Sequence, residues 1–395
     1  MIAAARGICV VVAVLLALNS PVWAEVGVTD NEIVIGSCSV LTGPAMGLGT
    51  EQLKGARAFL KEVNEKGGIY GRKIKLLEFD DRYEPDGAVE CFQKLLDNKV
   101  FIAAFFVGTP TGAKHAPLAE QSKLPAVGWF TGAQLLHEPF KHYVLNIRAS
   151  YYDETREFVD GVWNSLGYRK IGVIYQDDAF GAAVLEGVKR GLKKYNAEPV
   201  AIGSFQRGTL EVDHAIEQVR AGNPEAVCIV GPYAPVAEVV KNSRAEGWNP
   251  LFYTVSFVGT GSFLKAGGKE VDGTVITQVV PPASRKGLPL VAHFLKNLQK
   301  YEPGAVPDFV PLEGFVDAYV VVEGIKRAGK DLTREKFIAA IEGMNNMDIG
   351  LGAQLKLDYY GPQDHKGFDT VYYTVVREGK AVTFDDWREL RKKGP

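Results

Sequence analysis

Two tandem series of short apolar runs alternating with amphipathic stretches constrain this chain more than any other feature of its sequence. Residues 33–36 form a buried-strand pattern, after which Leu53, Ala56, Leu60 and Val63 recur at helical spacing on one face. Gly67 and Gly68 stop that helix, residues 74–79 read as the next strand, and Pro85 opens a helix carrying Ala88, Phe92, Leu95 and Leu96. The apolar run 101–107, the amphipathic stretch 111–123 and the short strand 125–128 continue the series. Such repetition demands a parallel sheet, because the connecting helices cover both of its faces. A second series begins after Asn146, with a helix over 151–166, a strand over 170–175, a helix over 180–195, a strand over 226–230 and a helix over 235–246. Beyond Val279, residues 290–301, 313–328 and 333–343 read as helices with too few strands for a sheet of their own. They are expected to pack back onto the first unit.

Composition agrees with two cores. The 395 residues are 46% hydrophobic and 23% charged, more than one ordinary core needs. No low-complexity or Ser/Gly segment separates the units, so short crossovers join them. Lys+Arg 45 against Asp+Glu 47 leaves no basic field, and no nucleic-acid partner is expected.

The N-terminus reads as a cleavable signal over residues 1–24. Arg6 precedes the apolar run 8–18, Asn19, Ser20 and Pro21 break it, and Val22 and Ala24 stand at the small-residue sites of cleavage. The run is about half the roughly 20 residues of a membrane span. The mature chain then starts at Glu25 in a periplasmic or other extracytoplasmic compartment. Cys38, Cys91 and Cys228 remain, which allows one disulfide at most and leaves their pairing open. Neither the cysteines nor the scattered histidines follow a metal-ligand spacing, so neither metal nor cofactor is expected.

Gly43, Gly47 and Gly49 follow the first strand without the third glycine of a dinucleotide loop. They read instead as a turn whose backbone N–H groups can hold a ligand carboxylate. Asp80 and Asp81 are expected to supply the cap of the helix beginning near Pro85. No nucleophile motif is present, and no enzymatic activity is expected. Hydroxyls and aromatics gather at strand ends: Thr109 and Thr111, then Trp129, Phe130, Thr131 and Gly132, then Phe180, Tyr233, Ser256 and Phe257. Recurrence at the carboxyl ends of strands in both units points to a small-molecule site.

An ordered set of short motifs carries a resemblance. It comprises residues 33–36 with Leu41, Thr42, Gly43 and Pro44, then Gly55-Ala56, residues 64–69 with Gly71, Asp80-Asp81 and Pro85. Residues 171–175 with Phe180-Gly181, and Ala245-Glu246-Gly247 before Pro250, continue it. The chain thus resembles, over essentially its whole mature length, the leucine/isoleucine/valine-binding family of type I periplasmic binding proteins, the solute-binding subunits of ABC importers.

The resemblance implies an α/β fold of two Rossmann-like parallel-sheet lobes joined by three crossover strands. Lobe 1 would be 29–147 plus 276–357, and lobe 2 would be 148–275 plus 358–395. It implies a monomer that captures a small amino-acid-like or carboxylate ligand by hinge closure and delivers it to an ABC permease, or else a sensing subunit for a membrane receptor. Carried over residue by residue, Thr109 would hold the ligand carboxylate, and Phe130, Thr131 and Gly132 would form its second loop. Phe180 would close over the ligand, with Tyr233 after the second lobe's strand end and Tyr151 among the aromatic walls. Ser256 stands where the family has the acid that meets an ammonium group, so an aromatic or branched apolar carboxylate lacking an amine is expected, the alternative being an amino acid held by another acid, with Asp177 and Asp178 the nearest candidates. Tyr83 and Gly108 stand near the positions of the family's first-lobe disulfide, so that bridge is expected to be absent.

Overall fold

The computed structural model describes residues 25–391, and the expected leader lies outside the described residues. In the first lobe β1 (Glu32–Ser39), β2 (Lys73–Asp80), β3 (Ile102–Val107), β4 (Ala126–Phe130) and β5 (Val144–Leu145) form an all-parallel sheet in the order β2-β1-β3-β4-β5. The crossovers between the first four strands are α1 (Met46–Glu65), α2 (Pro85–Asp97) and α3 (Thr109–Ser122). Every residue of β3 and β4 is buried, because helices cover both faces.

The second lobe repeats the plan. Its elements are α4 (Tyr151–Asp160), β6 (Ile171–Gln176), α5 (Ala179–Lys193), β7 (Ala201–Phe205), α6 (Asp213–Arg220), β8 (Ala226–Val230), α7 (Tyr233–Ala245), β9 (Leu251–Thr254), α8 (Thr260–Gly267) and β10 (Val275–Gln278). The expected helix over 151–166 is α-helical only to Asp160 and continues as a wide turn, where a Cβ on Gly161 would lie 2.3 Å from the Trp387 ring. β10 runs past the expected boundary at 275/276.

The chain then returns to the first lobe as α9 (Pro289–Tyr301), α10 (Phe309–Ala328), α11 (Arg334–Glu342), β11 (Met347–Asp348) and β12 (Lys356–Leu357). Leu290, Phe315 and Phe337 join the first core, as expected of these helices, and so do Tyr359 and Phe368, which lie beyond 357. Finally β13 (Tyr372–Arg377) and β14 (Lys380–Phe384) complete the second sheet, in the order β14-β13-β10-β9-β8-β6-β7. Here the expectation of a parallel sheet needs correction. Glu378 and Gly379 turn β13 straight into β14, a connection too short for a crossover helix, so the last two strands are antiparallel.

Two features fix the first lobe. A Cβ on Gly55 would sit 1.7 Å from the Pro311 carbonyl oxygen, and one on Gly314 would sit 2.0 Å from that of Gln52, so α1 and α10 touch backbone to backbone. The second is a disulfide between Cys38 in β1 and Cys91 in α2, with Cα atoms 5.8 Å apart. The lobe therefore has a bridge, but not at the family positions expected to lack one. At those positions the Tyr83 ring packs against Gly108 instead. Cys228 stays reduced inside β8, where burial pushes its thiol pKa up.

The disulfide closes a loop across a separation of 53 residues. Replacing both of its cysteines by serine is expected to lower the unfolding free energy by about 4 kcal/mol on chain-entropy grounds. Urea unfolding of both proteins measures it; an unchanged midpoint would show that the bridge adds nothing to the packed core.

Candidate functional site

The strand ends of the two lobes meet at a chain of hydroxyls. Gly108 has φ 100, a region open to glycine, and a Cβ there would lie 2.1 Å from the Tyr83 ring. This turn sets Thr109 at the first position of α3, fully buried. Its Oγ1 is 2.7 Å from Thr131 Oγ1, and Thr131 in turn donates to the Tyr151 hydroxyl at 3.1 Å. The Tyr151 amide donates to the Gly132 carbonyl at 2.7 Å, an approach that a Cβ on Gly132 would obstruct. Burial pushes the Tyr151 phenol pKa up, so it keeps its proton. The structure thus brings Thr109, Thr131, Gly132 and Tyr151 together.

Aromatic rings flank these hydroxyls. Asp178 caps α5 by accepting the amides of Phe180 at 2.9 Å and Gly181 at 3.0 Å, which fixes where Phe180 leaves the helix. The Phe257 ring lies 4.4 Å from that of Phe180, 5.6 Å from Phe130 and 6.0 Å from Tyr83, and Phe180 lies 5.4 Å from Tyr151. Rings from both lobes are therefore packed into one cluster, and all five are at most 5% exposed. Tyr233 stands apart at the rim, half-buried, where its hydroxyl accepts the Gly47 amide at 3.3 Å. That amide, expected to face a ligand carboxylate, bridges the lobes instead.

Ser256 belongs to a buried ion network that sequence reasoning missed. Arg148, in the first passage between lobes, donates to Glu313 of α10 at 3.1 Å and to Glu154 of α4 at 3.3 Å, and also bonds the Ser256 hydroxyl. Glu154 accepts from the Ser256 amide at 2.8 Å, the Ser256 hydroxyl at 2.9 Å and Thr277 Oγ1 at 2.5 Å. Asp317, one turn beyond Glu313, accepts from Gln52 of α1 at 3.1 Å. The Arg148 guanidinium also stacks 5.1 Å from the Phe130 ring centre. Burial raises the pKa of Glu313, aided by Asp317 and Glu154 and opposed by Arg148, and burial likewise raises that of Asp317. One readable signal existed: two acids four residues apart in the otherwise apolar stretch 309–322.

The acid pair after β2 also differs from expectation. Asp80 accepts from Leu41 and Arg82 amides and the Thr42 hydroxyl, while Asp81 accepts the Tyr83 amide at 2.8 Å. Neither caps α2, whose N-cap is Glu84 without a side-chain bond, because both carboxylates are committed to the preceding turns. Burial lifts the Asp81 pKa to about 7. Asp178 is a half-buried helix cap rather than an exposed loop acid, with its other oxygen on Gln176 Nε2 at 2.6 Å.

Comparison with known proteins agrees with this fold. A family model described as periplasmic binding protein matches residues 32–381. The leucine-specific-binding protein of Salmonella typhimurium is 21% identical over 252 residues, covering 64% of this chain and 68% of that protein. The crystal structure of a possible leucine/isoleucine/valine-binding protein from Rhodopirellula baltica is 30% identical, with a TM-score of 0.87 over 94% of this chain and 100% of that one. A branched chain amino acid ABC transporter structure from Thermus thermophilus, with bound valine, shares the fold at 17% identity and a TM-score of 0.80, over 92% of this chain and 100% of that one.

The buried acids make stability depend on pH. Asp81, Glu313 and Asp317 have folded pKa values above their unfolded ones, so the folded chain holds protons that the unfolded chain releases. Their contribution is complete below the usual carboxylate range and is lost as pH rises through the folded values. Buried His115 and half-buried His137, lowered by desolvation to about 3 and about 4, act the opposite way below about pH 6.5. The melting temperature is therefore expected to fall from about pH 7 to about pH 8.5, less steeply in Glu313→Gln. A flat profile, or one as steep in the variant, would refute the assignment.

Proposed function

The chain belongs to the leucine/isoleucine/valine-binding family of periplasmic binding proteins, and from that membership we propose that it is the solute-binding subunit of an ABC importer, capturing a small apolar carboxylate that lacks an amine. The observation that carries this reading is the convergence, between the lobes, of buried hydroxyls from Thr109, Thr131 and Tyr151 beside the rings of Phe130, Phe180 and Phe257. Hydroxyl donors suit a carboxylate, and the rings suit an apolar body.

Charge accounting favours the missing amine. Ser256 offers no charge, and the Glu154 carboxylate behind it is already filled by Arg148, Thr277 and Ser256 itself. Asp178 is held by its helix cap and by Gln176. An ammonium group enclosed beside Ser256 or Asp178 would lack a free partner there, at a cost of several kcal/mol. Neutral or anionic ligands escape that penalty.

Capture works by differential affinity. Open lobes admit the ligand, and contacts from both lobes favour the closed form by as much as they favour it over the open one. The signal-like residues 1–24, and the lack of any described helix long and apolar enough to cross a membrane, fit a monomer released into the periplasm that docks on an inner-membrane permease.

Calorimetry should find micromolar binding of 4-methylpentanoate or 3-phenylpropanoate and at least tenfold weaker binding of leucine and phenylalanine. Thr109→Val should weaken the acids by about 10- to 100-fold, the range of a hydrogen bond to a charged group. Small-angle scattering should show compaction with saturating acid. Tight amino-acid binding without binding of the acids would overturn the proposed ligand class.

A further inference from the structure

A second space opens outward from the aromatic cluster. At the mouth of the cleft lies a cavity of about 330 Å³ that both lobes build, with Pro44, Ala45 and Tyr83 on one side and Arg207, Pro232 and Pro235 on the other. It is within the range of about 300 to 1,000 Å³ typical of small-molecule sites. Proline rings and a tyrosine face make flat apolar walls. Both cations of its lining have acid partners: Arg207 donates to Glu84 across the mouth at 2.7 Å, lies 3.3 Å from Asp178 and stacks 4.8 Å from the Tyr83 ring centre, while Arg82 lies 3.6 Å from Glu90.

The Tyr83 hydroxyl is the unusual group. Tyr83 is 5% exposed, and its oxygen has no hydrogen-bond partner within the protein. Burial first, then the nearby charge of Asp178 and the phenol of Tyr151, raise its pKa well above the ordinary value, so it remains a donor. A buried donor without an acceptor costs about 1 to 3 kcal/mol, and such groups call for an explanation. Tyr83 lines the cavity, and its ring packs 6.0 Å from that of Phe257 in the aromatic cluster. An oxygen-bearing molecule lodged there would satisfy it.

We propose that the mouth cavity is the compartment for the body of the ligand, that this body is an aromatic ring, and that Tyr83 donates a hydrogen bond to a ligand oxygen. The inference rests on the importer reading and narrows it to aryl carboxylates longer than a leucine-sized acid. Because both lobes build the cavity, a ring there stabilises the closed form specifically. Arg207 is a positioning residue, tying the mouth shut against Glu84 and the Tyr83 face.

The test is calorimetry on the chain from Glu25 with 3-phenylpropanoate and the short acid 2-methylpropanoate, alongside melting curves of each variant. The aryl acid should bind at least tenfold more tightly than the short one. Ala234→Phe, at a half-buried position on the cavity wall, should remove that margin, and Tyr83→Phe should weaken the aryl acid about tenfold while the ligand-free melting temperature is retained or raised. If the aryl acid binds but neither variant affects it, the compartment is refuted and the importer reading stands. If leucine, titrated alongside, binds and neither acid does, the compartment and the amine-free ligand class are both refuted while the importer reading stands.

Discussion

Arg148 stands where the chain first leaves one sheet for the other, and carboxylates from both lobes depend on its charge. Glu313 comes from the first lobe, and Glu154 with its partner Ser256 from the second. Removing one partner from such a buried group typically costs 3–5 kcal/mol, because the remaining charge stays buried and unmatched. The network holds only if α10 delivers Glu313 and Asp317 to the right place. The backbone contact of Gly55 and Gly314 does this, since a methyl group at either would drive α10 off α1.

The same junction organises the binding region. Phe130 stacks on Arg148, Ser256 bonds it, and Phe257 follows Ser256 into the aromatic cluster. The charge network and the ring cluster are thus buried together where the lobes meet, and mispositioning either would disturb the other. Low dielectric strengthens the correctly paired arrangement and penalises any that leaves a carboxylate alone.

Much of the fold was legible because parallel strands buried on both faces leave continuous apolar runs, as in residues 101–107. β7 and α6 were not assigned, since β7 is a half-buried edge strand of five residues containing a glycine. Strand-end position singled out Thr109, Thr131 and Phe180, which the structure gathers where the lobes meet, because in an α/β sheet that position is where a cleft forms. Arg148 and Glu154 were unreadable for a different reason. Their meaning comes from partners far along the chain, 165 residues away for Arg148 and Glu313, and no local pattern encodes such pairing. The disulfide was likewise left open by spacing alone.

The last two strands have a bearing on the order in which this chain can fold. Neither lobe is continuous: the first lacks α10 until residue 328 exists, and the second lacks its edge hairpin until residue 384 does. A nascent chain emerging from its N-terminus cannot complete either core until nearly all of it has been made. Such late, long-range pairing slows folding, because the entropy of closing large loops must be overcome before the contacts that reward it can form. Synthesis and compaction are thereby separated in time, and the unfinished chain stays open long enough to be threaded elsewhere.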